Sequence, residues 1–136
     1  NVADNQERGG DDRLTPGAYL RIYTNMQETA RLKADARSEI LKAMAHPTRV
    51  FIVDLLDREG PHCVCELAEE IGADMSTVSR HLSMLKNAGI LQDEKKGTTV
   101  YYSLACNCIS EFMRGLESIL RAKHQRESER FQALAD

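Results

Sequence analysis

The sequence predicts a mainly α-helical domain carrying one small β-hairpin, and three neighbouring stretches predict it. Met75 to Gly89 reads as a helix: Asp74 suits its N-cap, Gly89 its stop, and Val78, Leu82 and Leu85 fall at i, i+4 and i+7 as a narrow apolar stripe. Ser76, Arg80, Ser83 and Asn87 point the opposite way, giving a polar face free of acid. Just upstream, Glu66 to Ile71 shows a second short helical pattern (Leu67, Ala68, Ile71), and Gly72-Ala73 makes a tight connection between the two. Downstream, Ile90-Leu91 opens an extended stretch, Lys95-Lys96-Gly97-Thr98 is a basic turn, and Thr99-Val100-Tyr101-Tyr102 is rich in β-formers. Helix, glycine turn, helix and hairpin together make a winged helix-turn-helix.

From its beginning, the chain of 136 residues has the length of one ordinary domain, and 42% hydrophobic content is enough for a single core. The first fourteen residues are polar and glycine-containing, unlike a signal peptide with its apolar middle, so 1–14 is expected to be a disordered tail and the protein cytoplasmic. Thr15-Pro16 fits an N-cap followed by proline at the first helical position, and Ala18 to Met44 then carries helix formers with few breakers. Tyr19, Leu20, Ile22, Tyr23 and Met26 form one apolar cluster there, and Leu32, Ile40, Leu41 and Met44 another; one bent helix or two would satisfy the pattern. His46-Pro47 ends this stretch and starts the next, because a residue before proline is pushed out of the α region. From Thr48 to Arg58 a nearly continuous apolar run predicts the buried central helix. Cys106 to Ala135 reads as a last helix with Ile109, Phe112, Met113, Leu116, Ile119 and Leu120 on one side. The expected domain is therefore 15–125, followed by a charged tail, 126–136, that frays.

The polar face of the Met75 helix suits double-stranded DNA. Small side chains (Ser76, Thr77, Ser79, Ser83) let a helix enter the major groove closely, and Arg80 can fork onto guanine or phosphate. Lys95 and Lys96, at the wing turn, would reach backbone phosphate. A net charge of −3 argues mildly against nucleic acid, but acid concentrates elsewhere, in Asn1 to Arg13 and in Glu66, Glu69 and Glu70. No apolar run approaches the roughly 20 residues that span a bilayer, so no membrane segment is expected. Catalysis finds no support: the chain has no glycine-rich phosphate loop, and its cysteine spacing differs from the C-x-x-C of thioredoxin-like enzymes.

Four cysteines carry the remaining chemistry, as Cys63-Val64-Cys65 and Cys106-Asn107-Cys108. In a cytosolic protein they are expected as reduced thiols. Each pair stands at a predicted helix start, where the helix field lowers thiol pKa and favours the thiolate that binds soft metals. Two residues apart on a regular helix point about 200° apart, so a shared ion requires an open first turn. Packing is the alternative, since cysteine is also a common small core residue. His62 and His124 are further candidate ligands; His81 lies about 60° from the centre of the apolar stripe and suits helix packing or a phosphate contact better.

The run ELAEEIGADMSTVSRHLSMLKNAGILQDEKKGTTVYYSL resembles the winged-helix core of the ArsR/SmtB family of metal-responsive bacterial repressors. LKAMAHPTRVFIVDLL resembles that family's preceding helix, and HCVCEL the cysteine-bearing helix start of its arsenic- and cadmium-sensing branches. The resemblance implies a homodimer paired through its first and last helices, which would bury the Ile109 to Leu120 stripe; without a partner that stripe would pack on the chain's own first helix. It also implies a repressor released from operator DNA by a thiophilic metal or metalloid, with Cys63, Cys65, Cys106 and Cys108 as ligands, arsenite favoured and cadmium second. Two departures bear on the ion. Arsenic-responsive members often place a third cysteine where this chain has Ala68. Cys106 and Cys108 stand at the aspartate and histidine of zinc-sensing members, whose second half falls on Ile119 and Ala122, which cannot ligate. Thiols in place of harder ligands point to a softer ion. The alternative is a repressor whose paired thiols sense oxidation. Operator, regulated genes and the sharing of one site by the two pairs are left open by the sequence.

Overall fold

The computed structural model describes Pro16, Gly17, Leu20 and residues 27–135. The expected 1–14 tail, the Thr15 cap and most of the Tyr19 to Met26 cluster lie outside them. Chain contacts divide the protein into units 1–37 and 38–136. The elements are α1 (Glu28–Met44), α2 (Pro47–Glu59), β1 (His62–Cys63), α3 (Val64–Ile71), α4 (Met75–Asn87), β2 (Leu91–Lys96), β3 (Thr99–Leu104) and α5 (Asn107–Ala135). Gln27 is not helical, so Ala18 to Met44 is not one unbroken helix. Among the described residues no helix is long and apolar enough to cross a membrane.

α2, α3 and α4 each start on a local signal. His46 caps α2, its Nδ1 accepting the Thr48 N–H at 3.1 Å, with Pro47 in the first turn. α3 opens on a capping box in which the Cys63 sulfur accepts the Glu66 N–H (3.4 Å) and the Glu66 carboxylate accepts the Cys63 N–H (2.9 Å). Gly72 ends α3 at φ +71°, a left-handed conformation that turns the chain at once into Asp74, the cap of α4. The Asp74 carboxylate accepts the Thr77 N–H (3.0 Å) and both the Ser76 and Thr77 hydroxyls. These hydrogen bonds, the Ser76 hydroxyl first and then those from Thr77, hold its pKa well below the usual carboxylate range.

The core gathers one face of every helix from the end of α1 to α4. Ile52, Val53, Leu55 and Leu56 of α2 meet Leu67 and Ala68 of α3, Val78, Leu82 and Leu85 of α4, and Ala43 and Met44 at the end of α1. Ile90 and Leu91 carry burial into the sheet, which is antiparallel in the order β1-β3-β2. Lys96 pairs with Thr99 across a two-residue turn, and Gly97 supplies the positive φ (+65°) such a turn needs. The third strand, β1, was not anticipated: His62 and Cys63 pair with Tyr102 and Tyr101, and two residues carry no period to read.

α5 packs only in part on its own chain. Ile109 and Met113 lie against the core and Ser110 donates to Asp57 of α2, but no residue of α5 is fully buried. The helix continues to Ala135. Residues 121–135 are mostly good helix formers, and pairs such as Gln125 with Glu129 (3.1 Å) span one turn.

Two measurements follow from this packing. Leu82→Ala, at a fully buried position, should lower unfolding free energy in urea by about 2–5 kcal/mol, whereas exposed Met75→Ala should stay within about 0.5 kcal/mol. For Asp74, a depressed folded pKa means that its stabilisation is complete above the ordinary carboxylate pKa and is lost as pH falls through the lower, folded value. The melting temperature of wild type relative to Asp74→Asn should therefore be flat near neutrality and fall on acidification below the ordinary carboxylate pKa; a difference that grows in acid contradicts it.

Candidate functional site

The outward surface of α4 and the wing are set by what holds them from below. With Val78, Leu82 and Leu85 buried, Ser76, Arg80, Ser83 and Asn87 are all exposed, as the periodicity predicts, and Thr77 and Ser79 are half-buried at the margin. The hydroxyls of Ser76 and Thr77 donate to Asp74, so in this arrangement they offer DNA only acceptor lone pairs. Ser79, Arg80 and Ser83 are left to donate. Among the described residues Arg80 has no acidic partner.

The wing's charge is partly spent. Lys86 donates to Asp93 at 2.8 Å, and this hydrogen bond, opposed by desolvation, raises its pKa. The pair ties the end of α4 to β2 and occupies the Lys86 ammonium. Lys96 lies 3.9 Å from Glu94 with its ammonium 5.7 Å from the centre of the Tyr101 ring. Lys95 has no acidic partner among the described residues. Arg80, Lys95 and the loosely paired Lys96 are thus the cations that this face can offer phosphate.

His81 takes the packing side. Its ring is half-buried, 4.7 Å from that of His46, and its Nδ1 lies 3.4 Å from an Arg49 guanidinium nitrogen. Arg49 itself is buried, at 8% exposure, although by sequence it only interrupts a nearly continuous apolar run. The missed signal is its place beside Val50 to Val53 on the helix the core is built around.

Both cysteine pairs fall where a helix begins. Cys63 is the N-cap of α3 in extended conformation (φ −81°, ψ 166°) and Cys65 follows in its first turn; Cys106 directly precedes α5 and Cys108 is its second residue. The extended cap undoes the roughly 200° divergence of a regular helix. The structure joins Cys63 to Cys65 (Cα–Cα 5.5 Å) and Cys106 to Cys108 (Cα–Cα 5.2 Å) as disulfides, where four free thiols were expected. Among the described residues no three His, Cys, Asp or Glu side chains gather as a metal-holding group, so the pairs do not combine into one site within the chain. His62 is not brought to the sulfurs as a third ligand either: its Nδ1 donates to the Gly60 carbonyl (2.9 Å) and its Nε2 lies 3.6 Å from Glu59. Cys106 and Cys108 do share the wall of an apolar cavity of about 260 Å³ with Ile40, Met44, Ile109 and Phe112.

Residues 46–93 match the model of a bacterial regulatory protein family, the arsR family. The chain is 34% identical to an uncharacterised helix-turn-helix transcriptional regulator of Methanocaldococcus jannaschii over 64% of its own length and 98% of that protein's. It is 45% identical to a cadmium resistance transcriptional regulatory protein homologue of Staphylococcus aureus, with 49% of this chain and 55% of that one covered. Identity is also 45% to an arsenic resistance transcriptional regulator of Pseudomonas putida, covering 48% and 51%. The chain thus spans about half the length of these two resistance regulators. Among solved structures, a homodimeric winged helix-turn-helix DNA-binding domain of Mycobacterium bovis superposes with a TM-score of 0.65 at 25% identity, over 71% of this chain and 89% of that one. With its fold, its order of elements and its matched residues in agreement, the chain belongs to the arsR family of bacterial regulatory proteins, transcriptional regulators that bind DNA through a winged helix-turn-helix, and is not an enzyme.

Proposed function

We propose that this regulator is a cytoplasmic, homodimeric repressor that holds operator DNA through α4 and the wing and releases it when a thiophilic metal or metalloid, arsenite foremost and cadmium second, binds its paired cysteines. The observation that carries this is the convergence of two sulfurs at each of two helix starts, in a DNA-binding fold. Paired soft donors suit soft ions, and relatives named for arsenic and cadmium resistance align with the domain. Each pair supplies two thiolates where arsenite takes three, so a complete site draws its further ligand from the partner subunit or from a small thiol. The dimer would form through the first and last helices. Phe112, Ile119 and Leu120 leave 40%, 64% and 61% of their surface open on α5, an apolar stripe that a second copy would cover, and the M. bovis structural neighbour is homodimeric. On the DNA side, Ser79, Arg80 and Ser83 would read the groove with Ser76 and Thr77 at its edge, and Lys95 and Lys96 would hold phosphate.

Ion binding requires the dithiol form of each pair; the alternative is a repressor released when each dithiol is oxidised to its disulfide. Titrating inducers under anaerobic, reducing conditions separates the two. An ion sensor releases the operator there on arsenite or cadmium, and a disulfide sensor does not.

Arg80→Ala should cost operator binding on the order of 1–3 kcal/mol, the worth of a bidentate base contact, with the dimer intact by sedimentation. Lys95→Ala combined with Lys96→Ala should weaken binding to every duplex alike and flatten the dependence of affinity on salt; a loss confined to one sequence contradicts the phosphate role. Replacing Cys63 and Cys65 by serine should leave repression in place and abolish induction, and the same change at Cys106 and Cys108 should do so if the dimer joins the pairs in one site. Should arsenite, cadmium and oxidants all still release a protein with four serines, the cysteines have no part in sensing.

A further inference from the structure

Arg49 is the only buried charged side chain among the described residues, and neither the groove-facing surface nor the thiol pairs use it. From α2 its guanidinium reaches two ways. Nε donates to the Ala43 carbonyl (2.5 Å) and one terminal nitrogen to the Lys42 carbonyl (3.4 Å), at the C-terminal end of α1. The other terminal nitrogen meets Nδ1 of His81 and Sδ of Met84, both at 3.4 Å, on α4. One plane of donors therefore bridges three helices. The last carbonyls of a helix lack intrahelical partners and carry its negative end, so a buried cation is matched there without a carboxylate. A guanidinium can serve several acceptors in fixed directions at once, which a lysine ammonium on its flexible stem cannot. The bond to His81 requires Nδ1 to accept, hence an unprotonated ring.

We propose that Arg49 is a positioning residue for DNA binding, seating α4 against the end of α1 at the angle at which Ser79, Arg80 and Ser83 are presented, and holding that seat only while His81 is neutral. This rests on α4 being the helix that reads DNA. The groups facing His81 are His46 before α2, Arg49 of α2 and Arg80 of its own helix. Burial first, and then the neighbouring His46, Arg49 and Arg80, lower its pKa from the ordinary 6.5, so the ring is neutral at physiological pH. Acidification through that lowered value removes the acceptor and sets a second cation against Arg49. The seat is present above it and lost below.

The 136-residue protein is tested by fluorescence anisotropy against a duplex that wild type has selected from a random library and against a scrambled duplex of the same composition. Protonated histidines strengthen binding to any phosphate, so the ratio of the two affinities is the readout, taken from about pH 5 to 8. Arg49→Met and Arg49→Lys should each lose on the order of tenfold in that ratio, the size of coupling seen between touching residues, with binding to the scrambled duplex unchanged. The wild-type ratio should fall in acid. His81→Gln, whose amide oxygen can still accept, should keep the neutral-pH ratio and hold it at low pH, a signature that mere loss of stability does not produce. Circular dichroism and thermal melting report folding; if Arg49→Met fails to fold, Arg49→Lys and the His81→Gln profile decide. A folded Arg49 variant with the wild-type ratio overturns the inference, as does the same pH profile in wild type and His81→Gln. Arg80→Ala separates the two levels: a ratio lost there but kept in the Arg49 variants overturns Arg49's role alone, and a ratio kept in Arg80→Ala overturns α4 as the reading helix and the inference with it.

Discussion

The structure depends on one constraint, that α4 must bury a strip of three residues and no more. Val78, Leu82 and Leu85 are fully enclosed by α2 and α3, and the strip is narrow enough that the opposite side of the helix stays open. The other devices around it serve that seating. Gly72 brings α3 and α4 together without slack, Asp74 fixes the residue at which the helix starts, and Ile90 and Leu91 anchor the wing to the same core. A wider strip would have sunk Arg80 and Ser83; a narrower one would have left the helix without support.

Because this constraint is periodic, it was legible in the sequence. The i, i+4, i+7 spacing, the cap at Asp74 and the glycines at 72 and 97 announce the helix pair and hairpin from local chemistry, and each stands in the structure where expected. What was not legible depends on which chain segments meet. Arg49 looked like an interruption in an apolar run, and only the arrival of the α1 carbonyls and His81 accounts for its burial. Nor does local chemistry show that Asp93, seven residues on, folds back onto Lys86. β1 is too short to have a period, and it exists because β3 offers it an edge.

The thiol pairs show a similar dependence on a few backbone angles. A cysteine at an N-cap sits outside the helix's own geometry, so its sulfur can turn toward that of the second helical residue, which two cysteines inside a helix cannot do. Cys63 also accepts the Glu66 N–H, so chemistry at its sulfur acts directly on the first turn of α3. An event at that atom is thereby an event at the start of the helix-turn-helix, with Gly72 the sole break before α4.

The scarcity of unpaired positive charge on α4 and the wing has a consequence for how the protein finds its target. Proteins with dense cationic faces spend much of their time on bulk DNA and slide along it. Here Lys86 is neutralised by Asp93, Lys96 stands near Glu94, and the chain as a whole is acidic at −3. Few phosphates could be neutralised by such a face, which would keep affinity for random sequence low. On such a face, search would proceed chiefly through free solution, and a molecule that leaves its site would diffuse away instead of lingering on neighbouring base pairs.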